Sequence, residues 1–100
     1  MRAFDSSLAS PGVVLKDVDP STLLSNRQEL EKSRLDVQRQ LIRAGTKRFS
    51  MIQVNRDGVI IQGNHGARAA AESGIPIEVE IVDLPHPHFG PILSIPVVKR

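Results

Sequence analysis

The chain has no cysteine, no tryptophan and no tyrosine among its 100 residues. Without cysteine there is no disulfide framework and no thiolate metal site, although no compartment follows from that. Three phenylalanines are the only aromatic residues, so a core has to be built from Ile, Leu, Val and Ala. No apolar run reaches the roughly eighteen residues a membrane-spanning helix needs. The N-terminus lacks the basic-then-apolar layout of a secretory signal. A strong charge of either sign is missing too. Thirteen Lys and Arg against eleven Asp and Glu leave a net charge of +2, which neither demands nor excludes nucleic acid. The cations do cluster: Arg34, Arg39, Arg43, Lys47 and Arg48 fall on one expected helix and the loop after it. Such a row is most often a solvated face, and it is also what a nucleic-acid partner requires.

What is present suits one small domain, with 40% apolar residues for a modest core. Residues 1–11, with Ser6, Ser7, Ser10 and Pro11, read as a flexible leader. Val13-Val14-Leu15 is a short strand. Asp19 caps a helical turn with Pro20 at its first position. The next helix is expected from Gln28 to Ala44, with Leu30, Val37, Leu41 and Ala44 on one apolar stripe. Gly45 follows its C-terminus. Met51 to Val54 is a strand, Asp57-Gly58 a hairpin turn, and Val59 to Ile61 the returning strand. Asn64 to Ser73 is an alanine-rich helix closed by Gly74. Ile77 to Val82 alternates apolar and acidic residues as a half-buried strand does. Leu84 to Gly90 is a loop, and Ile92 to Val98 an edge strand whose pairing Pro96 limits. The expected core is Leu30, Val37, Leu41, Ile52, Val54, Ile60, Ala69, Ala70, Ile77, Val79 and Ile81. The order of elements points to an α+β fold, a small mixed β-sheet with packed helices.

The most informative stretch runs from Asp57 to Gly74. A strand ends at Gly63 and passes straight into a helix. The first turn of a helix carries unpaired N–H groups and the positive end of the dipole, a natural seat for phosphate. Asn64 and His65 stand at that junction, and Arg68 shares their helical face. The plainer alternatives are that Asn64 is an N-cap, His65 merely exposed and Arg68 a surface cation. His86 and His88 are spaced to face one side of an extended segment, but a zinc site wants three or four ligands.

This stretch resembles the signature of the ParB/sulfiredoxin superfamily, a strand reading D-G-x-I-x-D-G that runs into x-H-R-x-x-A-A-x-x-x-G. Asp57, Gly58, Ile60, Gly63, His65, Ala69, Ala70 and Gly74 fall in register with it. The resemblance spans Val13 to about Asp83. It implies a ParB/sulfiredoxin-like domain over 12–83, with 84–100 a C-terminal loop and edge strand. Two positions depart from the pattern. Gly66 stands where the family has an arginine, and Asn64 stands where sulfiredoxins have their catalytic cysteine, so sulfinic-acid repair is excluded.

The resemblance implies a phosphate-bearing ligand, nucleotide or nucleic acid, held by Gly63, Asn64, His65 and Arg68, with Arg27 flanking the site. His65 is the candidate acid or base of a hydrolysis. Mg2+ would accompany a nucleotide, with Glu29 or Glu31 as supporting carboxylates. Three functions follow: a ParB-like nuclease or toxin effector module, a nucleotide-binding switch or NTPase, and a non-catalytic interaction domain with a degenerate site. The first two place the protein in the cytoplasm, its own or that of a target cell. No membrane partner is expected, and the sequence assigns no oligomeric state.

Overall fold

The computed structural model describes residues 1–45 and 51–100, so Lys47 and Arg48 of the basic row lie outside the described residues. The elements along the chain are β1 (Val14–Val18), β2 (Leu24–Ser25), β3 (Leu30–Glu31), α1 (Lys32–Arg43), β4 (Ile52–Val54), β5 (Val59–Gln62), α2 (Asn64–Ser73), β6 (Ile77–Ile81) and β7 (Val97–Val98). Short 3-10 turns occupy Ser6–Leu8, Pro20–Thr22 and Ile92–Ser94. Five strands form one sheet in the order β1-β6-β4-β5-β2, and β3 pairs with β7 in a separate two-stranded sheet. Both parallel and antiparallel pairs occur in the five-stranded sheet. The protein is thus a small α+β domain with a mixed sheet and two helices. Among the described residues no helix is long and apolar enough to cross a membrane.

Local chemistry sets the hairpin and the helix that follows it. Gly58 takes a φ of +80° at the tip of the β4–β5 turn. Buried Asn55 organises that turn, because its side-chain oxygen accepts from the N–H groups of Asp57 (2.9 Å) and Val59 (3.0 Å). β5 then leads through Gly63 into α2, whose bounds match the expected ones. Ala67, Ala69 and Ala70 are fully buried, and their small side chains let this helix lie close to its neighbours. Gly74 ends it with a φ of +66°. In β6 the residues Ile77, Val79 and Ile81 point inward while Glu78 is exposed, as the alternation requires. Asp19 caps the Pro20 turn by accepting from Ser21 N–H at 3.0 Å.

α1 departs from expectation. It starts at Lys32, not Gln28, because Leu30 and Glu31 are extended and paired with Val97 and Val98. The apolar stripe was counted from Leu30. With Leu30 in a strand, its spacing to Val37 and Leu41 no longer describes one helical face. Val37 is 55% exposed, Leu41 only half-buried and Ala44 exposed, whereas Leu35 is completely buried. Leu35, Arg39 and Ile42 fall on one face of α1, and from it Arg39 bonds Glu72 of α2.

Both chain ends are tied to the rest of the domain by backbone hydrogen bonds. Arg2 is bracketed by backbone bonds, donating to the Asp17 carbonyl (2.8 Å) and accepting from Asp19 N–H (2.6 Å). Ala9 is part of the core. At the other end, residues 89–100 form a strap along 23–33. Phe89 N–H donates to Ser25 O, Ser25 N–H to Gly90 O and Ile92 N–H to Leu23 O. Ile92 and Ile95 are buried in the core. Pro96 lacks an N–H but still serves the pairing, since its carbonyl accepts from Leu30 N–H at 2.9 Å.

Candidate functional site

The corner between β5 and α2 is held open for a helix start by one glycine. Gly63 has a φ of +102°, and a Cβ on it would come within 2.9 Å of Ile52 Cγ1. Gly63 is also the N-cap, with no side-chain capping bond, so Asn64 is the first helical residue and not the cap. The first intrahelical bond runs from Ala67 N–H to Gly63 O at 2.9 Å. The amides of Asn64, His65 and Gly66 therefore have no acceptor within their helix and lie at its positive end.

Released from capping, the Asn64 side chain anchors a neighbouring loop. Its amide donates to Asn26 Oδ1 at 2.7 Å, and its oxygen lies 2.8 Å from the Ser25 hydroxyl. Asn26 donates in turn to Ile61 O. The Ser25 hydroxyl accepts from Arg27 N–H at 2.9 Å. Its single proton has two acceptors within reach, Asn64 Oδ1 and Arg27 O. Ser25 and Asn64 are both buried, so this network fixes Arg27 beside the corner. Pairing of β2 with β5, which sets Ser25 against Ile60, brings the loop there.

A cleft of about 400 Å³ opens at this point. It is lined by Asn26, Arg27, Arg34, Gln38, Ile52, Ile61, Gln62, Gly63, Asn64, His65 and Gly66. Of the residues expected at the site, Gly63, Asn64, His65 and Arg27 come together here. Arg34 and Gln38 were not expected. They stand four apart, on one face of α1, a signal hidden while the helix was phased from Leu30. Glu29 and Glu31 do not line the cleft. Glu29 pairs with Arg100 at 3.0 Å, and Glu31 faces Arg34 at 3.7 Å. No carboxylate lines the cleft among the described residues. None of the described His, Cys, Asp and Glu residues form a group of three or more suited to a metal. His86 and His88 lie on the exposed loop after β6.

His65 is 7% exposed, and its Nε2 accepts a hydrogen bond from Glu31 N–H at 3.0 Å. Burial, and then the charges of Arg34 and Arg27, push its pKa down to about 4, with Glu31 opposing them. The ring is neutral at pH 7. Its basic nitrogen is already bonded, which leaves it ill placed to take a proton from a substrate.

Arg68 lies outside the cleft. Its Nε donates to Glu72 Oε2 at 2.9 Å, and its Nη1 donates to Ile92 O at 3.1 Å and Ile95 O at 2.7 Å. The helical spacing to Asn64 and His65 is as expected, but these three acceptors draw the long side chain to the strap. Glu72 joins Arg39 to the same group, with bonds of 2.8 and 2.9 Å. Arg39 and Arg68 hold the Glu72 carboxyl below its usual range. Comparison with family models, curated proteins and solved structures finds no match for this chain.

Proposed function

We propose that the cleft binds a phosphate-bearing ligand, a nucleotide or a nucleic-acid backbone, within a ParB/sulfiredoxin-like domain. The observation that carries this reading is that the first turn of α2, whose leading amides have no acceptor within the helix, lines one cleft together with Arg27 and Arg34 and with no carboxylate among the described residues. Helix N-termini and guanidinium groups are the two commonest phosphate-binding devices in proteins. A volume of about 400 Å³ falls in the range of small-molecule sites. In this reading Arg34 supplies from α1 the cation that the family pattern places at position 66. Any Mg2+ arrives with the ligand, since Glu29 and Glu31 are turned to arginines instead.

Binding is favoured over hydrolysis for a specific reason. The one titratable group at the corner, His65, gives its Nε2 lone pair to a backbone amide. The nuclease and NTPase readings therefore rank below a binding or interaction module.

The test is calorimetric titration with inorganic pyrophosphate, ATP, CTP and short oligonucleotides. The wild type is expected to bind at least one of them, more weakly as salt rises. The Arg27→Ala/Arg34→Ala double variant is expected to keep its far-UV dichroism and lose that binding. Equal binding by this variant, or no binding by the wild type, sinks the reading.

A further inference from the structure

We propose that His65 is a positioning residue, a latch that holds the Arg27–Glu31 span, which carries Arg27 to the cleft, against α2 as a single neutral tautomer with its hydrogen on Nδ1. The inference rests on the cleft being an anion site only for what the latch serves, not for the latch itself.

The geometry has two parts. The first concerns the atoms. A backbone N–H donates and never accepts, so the ring nitrogen facing Glu31 N–H at 3.0 Å must present a bare lone pair. That nitrogen is Nε2, and the hydrogen of the neutral ring therefore sits on Nδ1. The second concerns the chain. Asn64 and His65 are consecutive residues at the start of α2, and they grip the two ends of one short span. Asn64 holds Asn26 and, through Ser25, the amide of Arg27. His65 holds Glu31. Arg27 lies between those grips, and its own Nε donates to the Glu29 carbonyl at 3.3 Å. Where this guanidinium stands is thus set by two side chains of α2 and by the pairing of β3 with β7.

The charged groups that act on His65 are Arg34 from α1, Arg27 from the span, and Glu31 from β3. Two cations and burial oppose a proton on the ring, and one carboxylate favours it. Protonation would set an Nε2–H against the Glu31 N–H and break the latch. The folded chain resists that proton down to a pKa of about 4, whereas the unfolded chain takes it near the ordinary value of 6.5. The unfolded state then binds more protons between those values. Stability from this group is complete above about pH 6.5 and declines as the pH falls toward about 4.

Two measurements on the full chain test the proposal. The chain has three histidines, so a His86→Gln/His88→Gln variant leaves His65 alone for imidazole 15N spectroscopy. The expected result is an Nδ1–H tautomer that stays neutral to below pH 5. An Nε2–H tautomer, or titration near 6.5, overturns the latch. The second measurement is pyrophosphate affinity at pH 7.5 for the wild type, His65→Gln and His65→Ala. A glutamine oxygen reaches about as far as Nε2 and can accept from Glu31 N–H. His65→Gln is expected to bind within about threefold of wild type, and His65→Ala about tenfold more weakly, the scale of one hydrogen bond. Equal losses in both variants overturn the positioning role. If the wild type does not bind pyrophosphate, the anion reading and the positioning role fall together, while the tautomer still decides the latch. If His65→Ala does not fold, the tautomer and His65→Gln decide between them.

Discussion

Arg34 and Arg68 stand near the starts of the two packed helices, and they are used in opposite ways. Arg68 is 14% exposed and meets three acceptors on two elements, the Glu72 carboxylate and the carbonyls of Ile92 and Ile95. Arg34 is 59% exposed and, among the described residues, has one loose ion pair, with Glu31 at 3.7 Å. One guanidinium is engaged in holding the strap on α2. The other lines the cleft. A helical wheel puts Arg68 next to the site, and a census of acceptors takes it away. Which arginine can serve a ligand is decided by what else lies within reach of its five N–H groups.

The comparison extends to the apolar residues of α1, where the largest effect is expected. Leu35→Ala should cost about 2–5 kcal/mol by leaving a cavity between the helices. Val37→Ala should stay within about 0.5 kcal/mol. Urea unfolding followed by far-UV dichroism is the measurement to use, since the chain offers no tryptophan or tyrosine as a fluorescent probe. Equal costs would mean that the inward face of α1 has been wrongly identified, and with it the direction of Arg34. Next comes the arginine pair itself. Arg68→Ala strands two carbonyls and half-unpairs Glu72, for a loss of about 3 kcal/mol. Arg34→Ala removes one exposed ion pair and should change stability by about 0.5 kcal/mol or less. The contrast breaks if the two variants unfold at the same urea concentration. An effect smaller than that of Leu35→Ala or Arg68→Ala is expected at the corner between the two arginines. Gly63→Ala forces a φ of +102° on an L-residue and drives a methyl toward Ile52, at a cost of about 1–2 kcal/mol. A neutral result there would show that β5 and α2 can part without strain.

Much of the fold around the corner was legible because its signals are local. Asp57-Gly58, the Ile-rich strands, the alanine helix and Gly74 each specify their own conformation within a few residues. The same holds for Asp19 and Pro20. The lining of the cleft was legible where it follows the corner, at Gly63, Asn64 and His65. What escaped depends on partners distant in sequence. Leu30 and Glu31 read as the first turn of a helix until Val97 and Val98 pair with them. That shift in phase moved the buried face from Val37 to Leu35 and concealed Arg34 and Gln38 from the site. Arg68 escaped for the same reason, since its acceptors lie on the strap. The chemical part of His65 was hidden as well. Nothing local foretells that its ring is met by the amide of Glu31.

The strap has a consequence for the order of events during synthesis. Residues 23–33 carry Arg27 and one side of the cleft, yet some of their hydrogen-bond partners, from Phe89 to Arg100, are the last of the described residues to be made. Contacts so far apart along the chain close late, after the local hairpin and helices have formed. A nascent chain emerging from the ribosome therefore displays the β5–α2 corner well before it owns a finished pocket.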